Sequence, residues 1–171
     1  MGYMAKPKSR DDIRNTSRLI RKIQSAEKEL YFPIVDFLEK TLPRIIPGFT
    51  FRVGEVEEMG ECHGLTFPER NEIMIRSDVY LRACEGSGRD RLTMAHELYH
   101  YLEHSKETVV FARTGTKNIP PYKDPEWQAD AFGGELLVPY DLAKDLTIDE
   151  IAEYCGVSLA AAKVQYRQIH K

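Results

Sequence analysis

Hydrophobic positions recur along the chain at two periods, and the change between them divides it. Near the start, Ile13, Leu19, Ile20 and Ile23 give a partly amphipathic helix with a basic outer face, and Ser9 is placed to cap it. Ile34, Val35, Phe37 and Leu38 form the apolar side of a second helix. It starts at Pro33, since proline suits a first turn, and ends near Pro43. The period then shortens. Pro47-Gly48 signals a turn, and Phe49, Phe51 and Val53 alternate as in a strand. Leu65 and Phe67 form another alternating run, which turns at Glu69-Arg70-Asn71 and returns through Ile73 and Ile75. These runs predict a small sheet of about three strands. Helical spacing resumes over 78–84, breaks at Gly86-Ser87-Gly88, and continues in a long helix over 90–104. Residues 105–123 read as mostly irregular, with Pro120-Pro121 near their end. A helix over 125–138 stops at Pro139, and two short helices over 147–155 and 158–169 meet at Gly156. The expectation is one α+β domain over 11–171, preceded by a flexible leader of residues 1–10, with 146–171 a helix-turn-helix-like tail.

Composition narrows the class. The 171 residues are 42% hydrophobic and 30% charged, which suits a globular chain with one core. A net charge of −3 shows no basic excess of the kind nucleic-acid binders carry, so direct nucleic-acid binding is not expected. The three cysteines, Cys62, Cys84 and Cys155, are an odd count with no C-x-x-C pair. They read as free thiols in a reducing compartment, neither a disulfide framework nor a cysteine zinc ribbon. The first ten residues are polar, without the apolar centre of a secretory signal, and no apolar run reaches the ~18 residues of a membrane span. A cytoplasmic protein with no membrane contact is expected. Its oligomeric state is not legible in the sequence.

The candidate chemistry lies in the long helix. His96-Glu97-Leu98-Tyr99-His100 fits H-E-x-x-H. Histidines four apart are stacked about 6 Å along a helix axis, so both imidazoles can meet one metal ion. Zinc takes such nitrogen ligands, and a catalytic site has three protein ligands and an open position for water. The intervening glutamate can take a proton from that water. Met94, Leu98, Tyr101 and Leu102 cluster opposite the histidines, which leaves His96 and His100 free to face a cleft. His104 lies about 12 Å beyond His96 along a straight helix, too far to share its ion, and is expected to be a supporting or surface residue. The third ligand is better sought in the next helix, at Glu126. Asp130 follows on the same face, able to orient a ligand histidine through its other ring nitrogen. Gly133 falls on the same side, where a missing side chain lets the two helices approach. His63, Tyr99 and Tyr122 are candidate oxyanion stabilisers, and the sequence does not choose among them.

Two stretches together resemble the ImmA/IrrE family of bacterial metallopeptidases. They are residues 86–104, ending Ala-His-Glu-Leu-Tyr-His-Tyr-Leu-Glu-His, and residues 126–139, Glu-Trp-Gln-Ala-Asp-Ala-Phe-Gly-Gly-Glu-Leu-Leu-Val-Pro. The family pattern is an A-H-E-L-G-H helix followed by E-x-x-A-N-x-F-A-x-E-L-L-x-P. The resemblance implies a zincin-like α+β fold, with a small sheet packed on the active-site helix. It implies Zn2+ bound by His96, His100 and Glu126, with Glu97 as general base. It also implies a protein substrate, a helix-turn-helix transcriptional repressor of a phage, mobile element or stress response. Three positions depart from the pattern. Tyr99 replaces a glycine, which would narrow the cleft; Asp130 replaces an asparagine; and Gly133-Gly134 replace alanines. The rival readings are a DNA-binding regulator acting through the tail, and a repressor-sequestering protein with a structural zinc site and no proteolysis.

Overall fold

The computed structural model describes residues 3–104, 109–111 and 119–171. The chain begins with a short strand, β1 (Tyr3–Ala5), followed by α1 (Arg10–Ile23). Ser9 caps α1 reciprocally: its hydroxyl accepts from the Asp12 amide, and the Asp12 carboxylate accepts from the Ser9 amide. The buried face of α1 is Ile13, Ser17, Ile20 and Arg21, whereas Leu19 is 57% exposed and drops out of the expected apolar side. Arg21 is buried because its guanidinium donates to the carbonyls of Ala26, Glu29, Leu30 and Leu136, closing the loop that follows the helix.

The second helical run is α2 (Ile34–Asp36), a π turn (Phe37–Thr41) and α3 (Leu42–Ile45). Pro43 therefore lies inside the run. It has no N–H for the regular ladder, and the wider π turn just before it absorbs the break. The sheet consists of β2 (Thr50–Gly54), β3 (Gly64–Phe67) and β4 (Glu72–Arg76), with the one-turn helix α4 (Val56–Met59) between the first two. The strand order is β2-β4-β3; β2 runs parallel to β4, and β3 runs antiparallel to it. The β3–β4 turn passes through Pro68–Arg70 to Asn71, which takes the left-handed φ of 51° that asparagine tolerates. Ile73, Met74 and Ile75 are all buried, as befits the central strand. β3 is an edge, and it lies against the long helix described next.

Helix α5 (Ser77–Cys84) leads into α6 (Gly88–Glu103), which carries the H-E-x-x-H residues. The irregular stretch expected over 105–123 lies partly outside the described residues. Within it, β5 (Val109–Phe111) pairs antiparallel with β1, and Pro121–Lys123 form a 3-10 turn. Part of the expected flexible leader is thus strand. Ala5 is buried, and the Lys8 amide donates to the Tyr122 carbonyl. Three residues are too few to show a period, and the pairing depends on a segment remote in sequence.

Helix α7 (Pro125–Leu137) packs along α6. Gly133 sits at their contact, where a β-carbon would come within 2.8 Å of the end of the Leu92 side chain, so a larger residue here would make Leu92 shift. Phe132, Leu136, Met94, Ala95, Leu98 and Tyr99 fill the interface, all 0% exposed. The chain ends in α8 (Tyr140–Ala143), α9 (Ile148–Cys155) and α10 (Leu159–Ile169). Arg91 of α6 donates to the Phe32, Cys155 and Gly156 carbonyls, and Gln165 of α10 accepts from Arg10. Both tail helices are therefore tied to the body of the molecule, with Ile151, Cys155 and Ala162 buried against it.

Candidate metal centre

Helix α6 begins firmly. The Ser87 hydroxyl accepts from the Asp90 amide, and the buried Asp90 carboxylate accepts two bonds from Arg82. From that fixed start, Met94 and Leu98 face the core, while His96, Glu97 and His100 line a cleft with Gly64, Thr66 and Pro68. Glu126, in the first turn of α7, closes the opposite side.

The two imidazole Nε2 atoms stand 2.9 Å apart. Glu126 reaches both: Oε2 is 3.2 Å from His96 Nε2 and Oε1 is 3.1 Å from His100 Nε2. Donors held about 2 Å from a common tetrahedral centre are separated by about 3.3 Å, so this trio fits one small divalent ion with nitrogen and oxygen ligands. All three offer ligand atoms within 4.8 Å of one another. Asp130 Oδ1 is 2.7 Å from His96 Nδ1, so that nitrogen carries a proton and Nε2 is turned toward the other donors.

The electrostatics agree with a cation at this point. Burial disfavours a charged His96, but hydrogen bonds with Asp130 and Glu126 outweigh it and push its pKa up to about 10. His100 and His96 in turn hold the Glu126 carboxyl well below the usual carboxylate range. Two carboxylates around two imidazoles favour one positive charge, which a divalent metal supplies more effectively than a proton.

Glu97 lies beside this convergence without touching it through any hydrogen bond. The Thr66 hydroxyl, 2.7 Å from Glu97 Oε2 and 3.0 Å from the Glu97 carbonyl, pins the side chain to β3. Gly64 makes room for it, since a β-carbon there would stand 2.6 Å from Glu97 Cγ. Of the three candidate oxyanion stabilisers, only His63 borders the site, in a groove that continues from the cleft past Gly64, Arg89, Thr93 and Asp130. Tyr122 is 47% exposed and does not line the cleft. Tyr99 is 0% exposed, and its ring packs on Phe132 and edge-on to His104. Burial pushes its phenol well above the ordinary range. The tyrosine at the family's glycine position therefore fills the core behind the site and does not narrow the cleft.

Thr66, Gly64 and Gln128 were not singled out in the sequence. Nothing in a lone strand tells which of its residues will lie on a distant helix. Gln128 carried no signal of its own: it stands between Trp127 and Ala129, flanked by the charged Glu126 and Asp130.

Two histidines a helical turn apart, a glutamate between them and a carboxylate from the neighbouring helix define a metallopeptidase centre of the H-E-x-x-H class. Residues 57–166 match the family model Peptidase_M78, the IrrE N-terminal-like domain. The match spans well over half of the chain, which belongs to this ImmA/IrrE family of metallopeptidases. A search among curated proteins finds no match.

Proposed function

We propose that the protein is a zinc-dependent endopeptidase that cuts a regulatory protein, a helix-turn-helix transcriptional repressor of a phage, mobile element or stress response, in the cytoplasm. The observation that carries the peptidase reading is the convergence of His96 Nε2, His100 Nε2 and the Glu126 carboxylate beside Glu97. His96, His100 and Glu126 hold the zinc, and Asp130 orients His96. Zinc held there would supply Lewis-acid chemistry toward a peptide carbonyl and would make a nearby water easier to deprotonate. Glu97, steadied by Thr66, takes the proton from that water and delivers it to the leaving amine. His63 is placed along the groove to donate to the oxyanion. The edge of β3 runs beside Glu97 and can take the substrate backbone as an added strand, leaving side chains to choose the sequence. Among the described residues no helix is long and apolar enough to cross a membrane. Cys62, Cys84 and Cys155 are free, which supports a reducing compartment.

The test is to incubate the zinc-loaded protein with repressors encoded beside its gene and to read the products by mass spectrometry, with a chelator as control. The Glu97→Gln variant is expected to bind zinc as the parent does and to cut nothing. A variant that still relieves repression in cells would mean the protein works by sequestering its partner.

A further inference from the structure

The two ligand histidines are oriented by different means. His96 has an anionic partner, Asp130, which is 71% exposed. Among the described residues, His100 meets no carboxylate at its Nδ1. That nitrogen is 2.8 Å from His104 Nδ1, and His104 Nε2 is 2.8 Å from Gln128 Oε1. Gln128 is 1% exposed, and its amide nitrogen donates to the carbonyls of Lys6, at 2.9 Å, and Tyr122, at 2.8 Å.

We propose that Gln128 and His104 are positioning residues that fix the tautomer of His100, so that its Nε2 lone pair is presented to the metal. Each step follows from which groups can donate. Backbone carbonyls only accept, so the –NH2 of Gln128 must face Lys6 and Tyr122 and its oxygen must face His104. That oxygen also only accepts, so His104 carries its proton on Nε2. The neutral ring then offers a lone pair at Nδ1. His100 must donate to that lone pair from its own Nδ1–H, which leaves His100 Nε2 unprotonated toward Glu126 and His96. The chain of bonds ends on fixed backbone, not on solvent. Tyr99 packs edge-on to the His104 ring, centroids 5.2 Å apart, and holds it in plane with its partners. The Lys6 carbonyl belongs to the segment between β1 and α1, so the N-terminal arm takes part in setting the metal site.

This inference rests on the His-His-Glu zinc reading, and the experiment separates the two. In the metal-free protein labelled with 15N-histidine, two-bond 1H–15N spectra report which ring nitrogen bears the proton. His104 is expected to show Nε2–H with a bare Nδ1. A His104 protonated on Nδ1 overturns the inference, whatever the variants do. Zinc affinity is then measured by competition with a chromophoric chelator. Removing an orienting partner of a ligand histidine weakens metal binding by about 10- to 100-fold. His104→Leu and Gln128→Leu are expected to show that loss. His104→Asn, which returns an acceptor oxygen near the Nδ1 position, is expected to recover most of it. A His104→Leu variant that holds zinc within about threefold of the parent also refutes the role. A parent protein that takes up no zinc overturns both this inference and the peptidase reading.

Discussion

Replacing Gly64 with alanine displaces Glu97. The new β-carbon would stand 2.6 Å from Glu97 Cγ and 3.0 Å from Cδ, where carbon atoms settle at about 3.5–4.0 Å. The contact must open by about 1 Å. Gly64 is held by its pairing with Ile75 in β4, so the side chain of Glu97 yields and its bond from Thr66 is disturbed. A reacting group misplaced by about 1 Å costs on the order of 100-fold in rate, or about 2.7 kcal/mol of barrier. Glu97 is not a metal ligand, so zinc affinity stays at the parent value. Overpacking at one position lowers stability by about 1–3 kcal/mol, not enough to mimic the loss through unfolding at assay temperature. Steady-state cleavage of the repressor found by mass spectrometry gives kcat, chelator competition gives the zinc affinity, and urea titration gives the stability. A Gly64→Ala enzyme with kcat within about threefold of the parent would show that Glu97 does not need this placement, and the general-base role would fall with it.

Three other outcomes are expected. Asp90→Asn weakens the start of α6 and removes the charge that Arg82 binds, at a cost of about 1–2 kcal/mol near neutral pH. Burial raises the Asp90 pKa, but hydrogen bonds from Arg82 and Ser87 outweigh it and hold the carboxyl below its ordinary value. A depressed carboxylate stabilises the fold above its unfolded pKa and ceases to do so as pH falls through the folded one. The gap between parent and Asp90→Asn in urea titrations should therefore shrink below about pH 4, and a constant gap would contradict the assignment. Arg91→Met leaves the buried Cys155 carbonyl and the part-buried Gly156 carbonyl without the guanidinium, whereas the Phe32 carbonyl keeps the Ile34 amide as donor. At about 1–3 kcal/mol for each of the two, it should lose at least about 2 kcal/mol in urea unfolding, and a loss under about 1 kcal/mol would mean water replaces the guanidinium. Stripping metal with EDTA should lower the melting temperature. Free zinc at about 100 times its Kd should restore about 2.7 kcal/mol, and His96→Ala should abolish that response. A parent melting curve indifferent to zinc would speak against the metal site.

The elements with a sustained period were legible from the chain. The expected helix over 90–104 appears as Gly88–Glu103, and that over 125–138 as Pro125–Leu137, because each carries an apolar stripe several turns long with a recognisable start. The hairpin between Leu65 and Ile75 was legible because a turn residue stood between two alternating runs. The parallel partnership of β2 with β4 was not, since alternation says nothing about which strand is the neighbour or in which direction it runs. Elements of three or four residues, such as β1 and α4, leave no period to detect.

The same division runs through the site. Residue spacing by itself put His96, Glu97 and His100 on one helix face, because helical geometry is fixed at 1.5 Å per residue wherever the helix lies. Glu126 and Asp130 were found by their own four-residue spacing, but their meeting with the histidines required α7 to pack on α6, which Gly133 permits. Tyr99 shows the limit. From the sequence it could face the cleft or the core, and the packing of Phe132 and His104 around it decided for the core. Thr66, Gln128 and the carbonyl of Lys6 reached the site only through contacts between remote segments. Local chemistry is written in neighbouring residues, whereas the partners that orient it depend on how whole elements settle against one another.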